Sequence, residues 1–267
     1  MSSNTDTELL YVIKIGGNIV DNPIVLTQFL QSFALIKAKV VLVHGGGKIA
    51  TQLAKDLNIP QQLVEGRRIT DAETLKIVTM VYAGLINKNI VAQLQSMGIQ
   101  AMGLSGADAN LIKSHKRSSE SIDYGFVGDV DAVNTGLMDN LLKENISVVI
   151  APITHDGNGQ LLNTNADTIA QSIATAMSAK YKVHLIYGFE KEGVLLDVNE
   201  PNSVIKHINK EKYQSLKEEK VIFEGMLPKI DNAFLALNNG VSSVIIGKAE
   251  KLNELINGTA GTTITQS

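Results

Sequence analysis

"LLYVIKIGGNIV", residues Leu9–Val20, puts a lysine inside an apolar run and ends the run on two glycines. A continuous apolar run rich in β-branched residues reads as a strand covered on both faces. Lys14 is costly in such a strand unless it projects from the strand's end or meets an anion. Gly16 and Gly17 stop the strand and let backbone approach another group closely. Taken alone, the stretch favours the plainer account of an edge lysine before an ordinary turn.

Runs of the same kind recur along the chain. Residues 11–16, 39–45, 99–105, 147–153, 182–188 and 243–247 read as strands. Amphipathic segments at 23–37, 47–58, 71–97, 136–145, 165–179, 209–219 and 228–239 read as helices. The alternation predicts an α/β fold with a mainly parallel sheet and helices on both faces. Ligands of such sheets bind beyond the carboxyl ends of the strands. Gly-rich turns stand at such ends after residues 15, 44 and 103. The stretch 111–135 breaks the alternation and reads as a hairpin excursion from the sheet. No linker rich in Pro, Gly or Ser divides the chain, so a boundary between lobes 1–164 and 165–267 is soft.

With 267 residues, 44% hydrophobic and 19% charged, the chain can bury one large α/β core or two modest ones. A net charge of −3 and a pI near 6.0 argue against nucleic acid and anionic membrane as partners. The lack of cysteine excludes disulfides, thiolate nucleophiles and Cys-ligated zinc. His44, His115, His155, His184 and His207 show no ligand spacing, so no metal-binding side chains are expected. "MSSNTDTELL" lacks the basic and apolar regions of a secretory signal, and no run of about 18 apolar residues occurs. These features predict a cytoplasmic protein. "KSHKR", Lys113–Arg117, reads as a solvated basic loop.

Four stretches carry chemistry. "VVLVHGGGKIA", Val40–Ala50, delivers three glycines from a buried strand into a helix, which suits an anion at the helix N-terminus. It is not a Walker A loop, because Leu42 and Ile49 stand where glycine and Ser/Thr are required. "EGRRITD", Glu65–Asp71, sets two arginines beside a helix start capped by Thr70 or Asp71. Either arginine can clamp a carboxylate, though Arg67 reads equally well as an exposed loop residue. "LLNTNADTIAQSIATAM", Leu161–Met177, has Asn165 as an N-cap and Asp167 in the first turn, and capping alone accounts for both. "EGMLPKIDNAF", Glu224–Phe234, starts a helix with Pro228 at its first position and Lys229 just after. A lysine there opposes the helix dipole unless an anion is present.

Together these stretches resemble the amino-acid kinase family, over nearly the whole chain and in the family's order: "KIGGN", "VHGGG", "GRRITD", "GLSGADA", "NTNAD" and "EGMLPK". Within the family the likeness is to the branch that phosphorylates N-acetyl-L-glutamate with ATP in arginine biosynthesis. The resemblance implies a three-layer αβα sandwich, with residues 1–164 binding the acylglutamate and forming a dimer, and residues 165–267 binding ATP. It implies that Lys14 and Lys229 stabilise the transferring phosphoryl group and that Asp167 orients both. Gly17, Gly46 and Gly47 would offer N–H groups to phosphoryl and substrate. Gly16, Gly45 and Gly193 would line the phosphate and nucleotide side. Arg68 and Asn163 would hold the substrate's α-carboxylate. Magnesium would ride on the ATP phosphates. One departure stands out: the family pattern "LTDVxGV" meets "LIYGFEKEGVLLD", Leu185–Asp197, with Ile186 and Tyr187 in place of Thr-Asp.

Other acceptors stay open at this level, namely N-succinylglutamate or a carrier-bound acyl group, as does a non-catalytic metabolite sensor with the same fold. Arg67 beside Arg68 would suit a second carboxylate. Family members inhibited by arginine carry a longer N-terminal helix that links dimers into hexamers. By that comparison a homodimer without strong arginine inhibition is expected. The segment 71–97 has apolar positions for a core face and for a dimer contact.

Overall fold

The strand Leu9–Ile15 runs parallel to Lys39–His44 on one side and to Lys182–Phe189 on the other. The computed structural model, which describes residues 7–64, 67–197, 199–200, 203–219, 221 and 226–267, builds an eight-stranded sheet around this centre. Its order is His207–Ile208, Thr262–Ile264, Ser243–Lys248, Lys182–Phe189, Leu9–Ile15, Lys39–His44, Ser147–Ile150, Ala101–Leu104. Only the contact between Thr262–Ile264 and Ser243–Lys248 is antiparallel.

The apolar runs are continuous because each strand feeds two cores. Leu10 and Val12 enter one core, while Tyr11, Ile13 and Ile15 enter the other. The helices Thr135–Lys143, Ala166–Met177, Lys210–Glu218 and Leu227–Asn238 cover the first face. Pro23–Ala34, Gly47–Asp56, Ala72–Ser96 and Leu252–Ile256 cover the second. The result is the three-layer αβα sandwich with a mainly parallel sheet. Ile13 is fully buried, and truncating such a side chain to Ala costs about 2–5 kcal/mol.

The expected strand 147–153 is two strands. Pro152 lacks a backbone donor, so the sheet strand stops at Ile150. Ile153–His155 then joins Leu161–Thr164, Val127–Val133 and Ile112–Lys116 in a small closed barrel. The last two of these pair antiparallel, as the hairpin expected at 111–135 requires. The short helix Leu252–Ile256 and the three-residue strand after it lay beyond the last expected element, being too short to show a period.

The expected helix 71–97 is capped by Asp71, whose side chain accepts from the Thr74 N–H at 2.7 Å. Its middle, Thr79–Ile86, is a π-helix. By length and composition Ala72–Ser96 is apolar enough to cross a membrane. Packing accounts for that apolarity: Ile77, Val78, Val81, Ile90 and Leu94 are almost fully buried in the second core.

Candidate active site

The carboxyl ends of three central strands meet at one level. Lys14 pairs in register with Val43 and Tyr187, and Ile15 with His44 and Gly188. After Leu9–Ile15 the chain builds outward on one side of the sheet, then returns at Lys182–Phe189 to build on the other. Such a switch point leaves a crevice at the strand ends. Here it is a cavity of about 30 Å³ lined by Lys14, Asp167, Tyr187, Gly188, Phe189, Lys229 and Asn232.

Lys14 Nζ lies 2.7 Å from Asp167 Oδ1. Asp167 is placed by the cap of its helix: Asn165 Oδ1 accepts from the Asp167 N–H at 2.8 Å and from the Thr168 N–H at 3.1 Å. Asn165 thus caps as its sequence position predicted. Among the described residues Asp167 forms an ion pair with Lys14 and none with Lys229. Lys229 instead lies over the Phe189 ring, with Nζ 4.7 Å from the ring centroid. Its helix opens at Leu227, one residue before Pro228. Glu224 and Gly225, from the same sequence motif, lie outside the described residues. Burial and the Asp167 charge push the Tyr187 phenol far above its usual range, so it stays neutral.

The glycine turns divide the labour. The Gly16 N–H donates to Gly188 O at 3.3 Å and the Gly45 N–H to Ile15 O at 3.0 Å, so both serve to join the strands. A Cβ on Gly17 would lie 3.6 Å from Gly47 N and 3.8 Å from Gly46 N, so these backbones converge. Gly47 opens the ten-residue helix Gly47–Asp56, whose first N–H groups have no intrahelical acceptors. Gly46 has φ +154°, and a Cβ there would sit 2.2 Å from Ile86 Cδ1. Gly193 lines neither this cavity nor the next. It packs against the Thr262 side chain, at 2.8 Å from a built Cβ. The third Gly-rich turn is also elsewhere, with Gly103 pressed against Asn87.

A second cavity, of about 200 Å³, is lined by Arg68, Tyr82, Arg117, Asn163 and Gly45–Gly47. Arg68 is buried and held from three sides. Its Nη2 donates to Gly47 O at 3.0 Å and to Thr51 Oγ1 at 2.8 Å, and its Nη1 donates to Gln61 Oε1. Asn163 Nδ2 donates to Thr70 Oγ1 at 3.0 Å, which ties the "GRRITD" and "NTNAD" motifs together. The Arg67 side chain, with Glu65 and Gly66, lies outside the described residues.

Sequence reasoning missed Arg117, which is no solvated loop residue. It follows the strand Ile112–Lys116, its Nε and Nη2 donate to the Asp129 carboxylate, and its guanidinium faces Tyr124 at 5.6 Å. Only the barrel turns it toward the cavity. His44 was missed as a structural group. Its Nδ1 bonds Gly45 O at 2.8 Å and its Nε2 meets Asn87 Nδ2 at 3.3 Å, beneath the second glycine turn. Burial pulls its pKa down to about 4. The two residues that depart from the family pattern lie on the strand Lys182–Phe189. Ile186 is fully buried in the sheet, and Tyr187 lines the small cavity.

A model described as "Amino acid kinase family" matches residues 10–248. The chain is similar to the acetylglutamate kinase of Cytophaga hutchinsonii, at 59% identity over 93% of this chain and 94% of that protein. The acetylglutamate kinase of Bacteroides fragilis is 54% identical over 92% and 94% of the two chains. Among solved structures, one of a Streptococcus mutans protein superposes with a TM-score of 0.77 at 26% identity, over 97% of this chain and 99% of that one.

Proposed function

The chain belongs to the amino acid kinase family, and from that premise we propose that it moves the γ-phosphoryl group of ATP onto the γ-carboxylate of N-acetyl-L-glutamate. The products are ADP and N-acetylglutamyl 5-phosphate, an early intermediate on the route to arginine. The observation that supports this reading is a pair of cavities joined along the chain, with Asn163–Ala166 lining the larger and the next residue, Asp167, lining the smaller. Lys14, Asp167 and Lys229 line one, and Arg68 and Asn163 line the other.

The chemistry explains why no general base is needed. A glutamyl γ-carboxylate, with a pKa of about 4.3, is already ionised at neutral pH. Phosphoryl transfer then asks for alignment and charge neutralisation. Lys14 and Lys229 would neutralise the migrating group, and the Gly17, Gly46 and Gly47 amides would cradle it from below. Arg68, fixed before substrate arrives, would take the α-carboxylate with Asn163 beside it. Among the described residues no cluster of three His, Asp or Glu side chains gathers. The magnesium that accompanies ATP in such transfers would be held by the nucleotide's phosphates. Residues 1–164 would serve the acylglutamate and the dimer, and 165–267 the nucleotide, in a cytoplasmic homodimer.

One observation favours a second reading. Arg117 brings another guanidinium into the acylglutamate cavity, and an acyl group ending in a carboxylate, as in N-succinylglutamate, would share it with Asp129. A hydroxamate assay with both acylglutamates tests the two readings together. The primary reading expects a higher kcat/KM with the acetyl compound. A preference for the succinyl compound that Arg117→Gln abolishes would replace it with the second. No acyl phosphate from either would overturn both.

A further inference from the structure

Two lysines line the small cavity, yet they are held by different chemistry. Asp167 takes Lys14 at 2.7 Å. Lys229 rests on the face of Phe189, the residue that closes the strand Lys182–Phe189. We infer that Phe189 is the positioning residue for Lys229, holding its ammonium at the cavity by a cation–π contact. The inference deepens the kinase reading and rests on it for its catalytic meaning.

The physical advantage lies in what each partner leaves behind. A carboxylate at 2.7 Å cancels much of a lysine's charge and occupies one of its three N–H donors. An aromatic face attracts the cation through its quadrupole and leaves the charge in place. Nor does it engage the ammonium with a hydrogen-bond acceptor. A lysine held this way can give its full charge to an incoming phosphoryl group. The strand end explains why Phe189 can do this. It is half-buried, so its ring is fixed by the sheet on one side and open to the cavity on the other. Lys229 lies in the first turn of Leu227–Asn238, where the helix dipole opposes a cation. The ring supplies an attraction where the helix supplies none. A small aliphatic residue at 189 would leave Lys229 free to swing into solvent, since its side chain is exposed.

The test uses the full-length protein with Phe189 replaced by phenylalanines carrying one, two and three ring fluorines, and by Tyr and Leu. Fluorination weakens the ring's hold on a cation with little change of shape. The expected result is a stepwise fall in kcat with fluorine count, about tenfold for Phe189→Leu. Phe189→Tyr should stay near wild type, and KM for the acylglutamate should not move in any variant. Equal kcat across the fluorinated set, or losses that follow melting temperature in every variant including Tyr, would overturn the inference.

A second readout does not need turnover. Lys229 Hε protons should show an upfield ring-current shift, assigned with Lys229→Arg and lost in Phe189→Leu. Its absence in the wild type would also overturn the inference. A wild type with that shift but no activity on any acylglutamate would instead sink the kinase reading, taking the catalytic role of the contact with it.

Discussion

Lys14 stands at the carboxyl end of a buried strand, and one carboxylate accounts for its being tolerated there. Asp167 lies 2.7 Å away, on a helix whose cap points that turn at the strand end. Lys14→Ala removes a cation from the transferring group, so kcat should fall about 10²–10³-fold in a variant that melts as the wild type does. Asp167→Asn keeps the first-turn polar group but loses the ion pair, and about a tenfold loss of kcat is expected. Steady-state kinetics beside thermal unfolding check both, and unchanged kcat in folded Lys14→Ala would remove it from the mechanism. His44 allows a pH prediction. Its pKa in the folded chain is about 4 against 6.5 for an exposed imidazole. Between these values the unfolded chain binds a proton that the folded chain refuses, so stability falls as pH drops below 6.5. From pH 6.5 to 5 this one group should cost about 2 kcal/mol. Urea unfolding at pH 7 and 5 should show a smaller pH effect in His44→Gln than in wild type.

At the scale of elements, the glycine turns and the long helix form one unit. The π segment Thr79–Ile86 sets Tyr82 and Ile86 against Gly46, whose φ of +154° belongs to glycine. A π segment within a helix often marks a functional position. Here it places a phenol at the larger cavity, beside the buried Arg68. Gly46→Ala would force the Ile86 side chain aside and strain the turn, for about 1–3 kcal/mol of stability. Because Gly46 and Gly47 carry the amides at the helix start, KM for the acylglutamate should rise with it. Calorimetry and kinetics on the one variant check both parts, and a variant that melts normally with unchanged KM would refute the account.

Across the whole molecule, the sheet's switch point fixes where chemistry can occur, and the outer face of the long helix bears on assembly. Met80 is 54% exposed and Leu85 53% exposed, with Ile24 of a neighbouring helix at 71%. These side chains supply an apolar surface suited to a second copy of the chain. Light scattering should give a dimer mass for the wild type and a monomer for Leu85→Glu. A monomeric wild type would refute the dimer. The sequence by itself determined six strands of the large sheet, most helices, the Asn165 cap and the lysine and glycine motifs. Those signals are local: the apolar period of a buried strand or helix, and a turn residue at a required φ, can be read within a few residues. The tertiary structure alone decided that Arg117 turns inward on Asp129, that Lys229 rests on Phe189 rather than on Asp167, and that the strand before Pro152 hands its continuation to a separate barrel. Each of these depends on side chains or strands from separate segments, and such contacts leave no period in the chain because closure of the fold, not the neighbouring residues, brings the partners together.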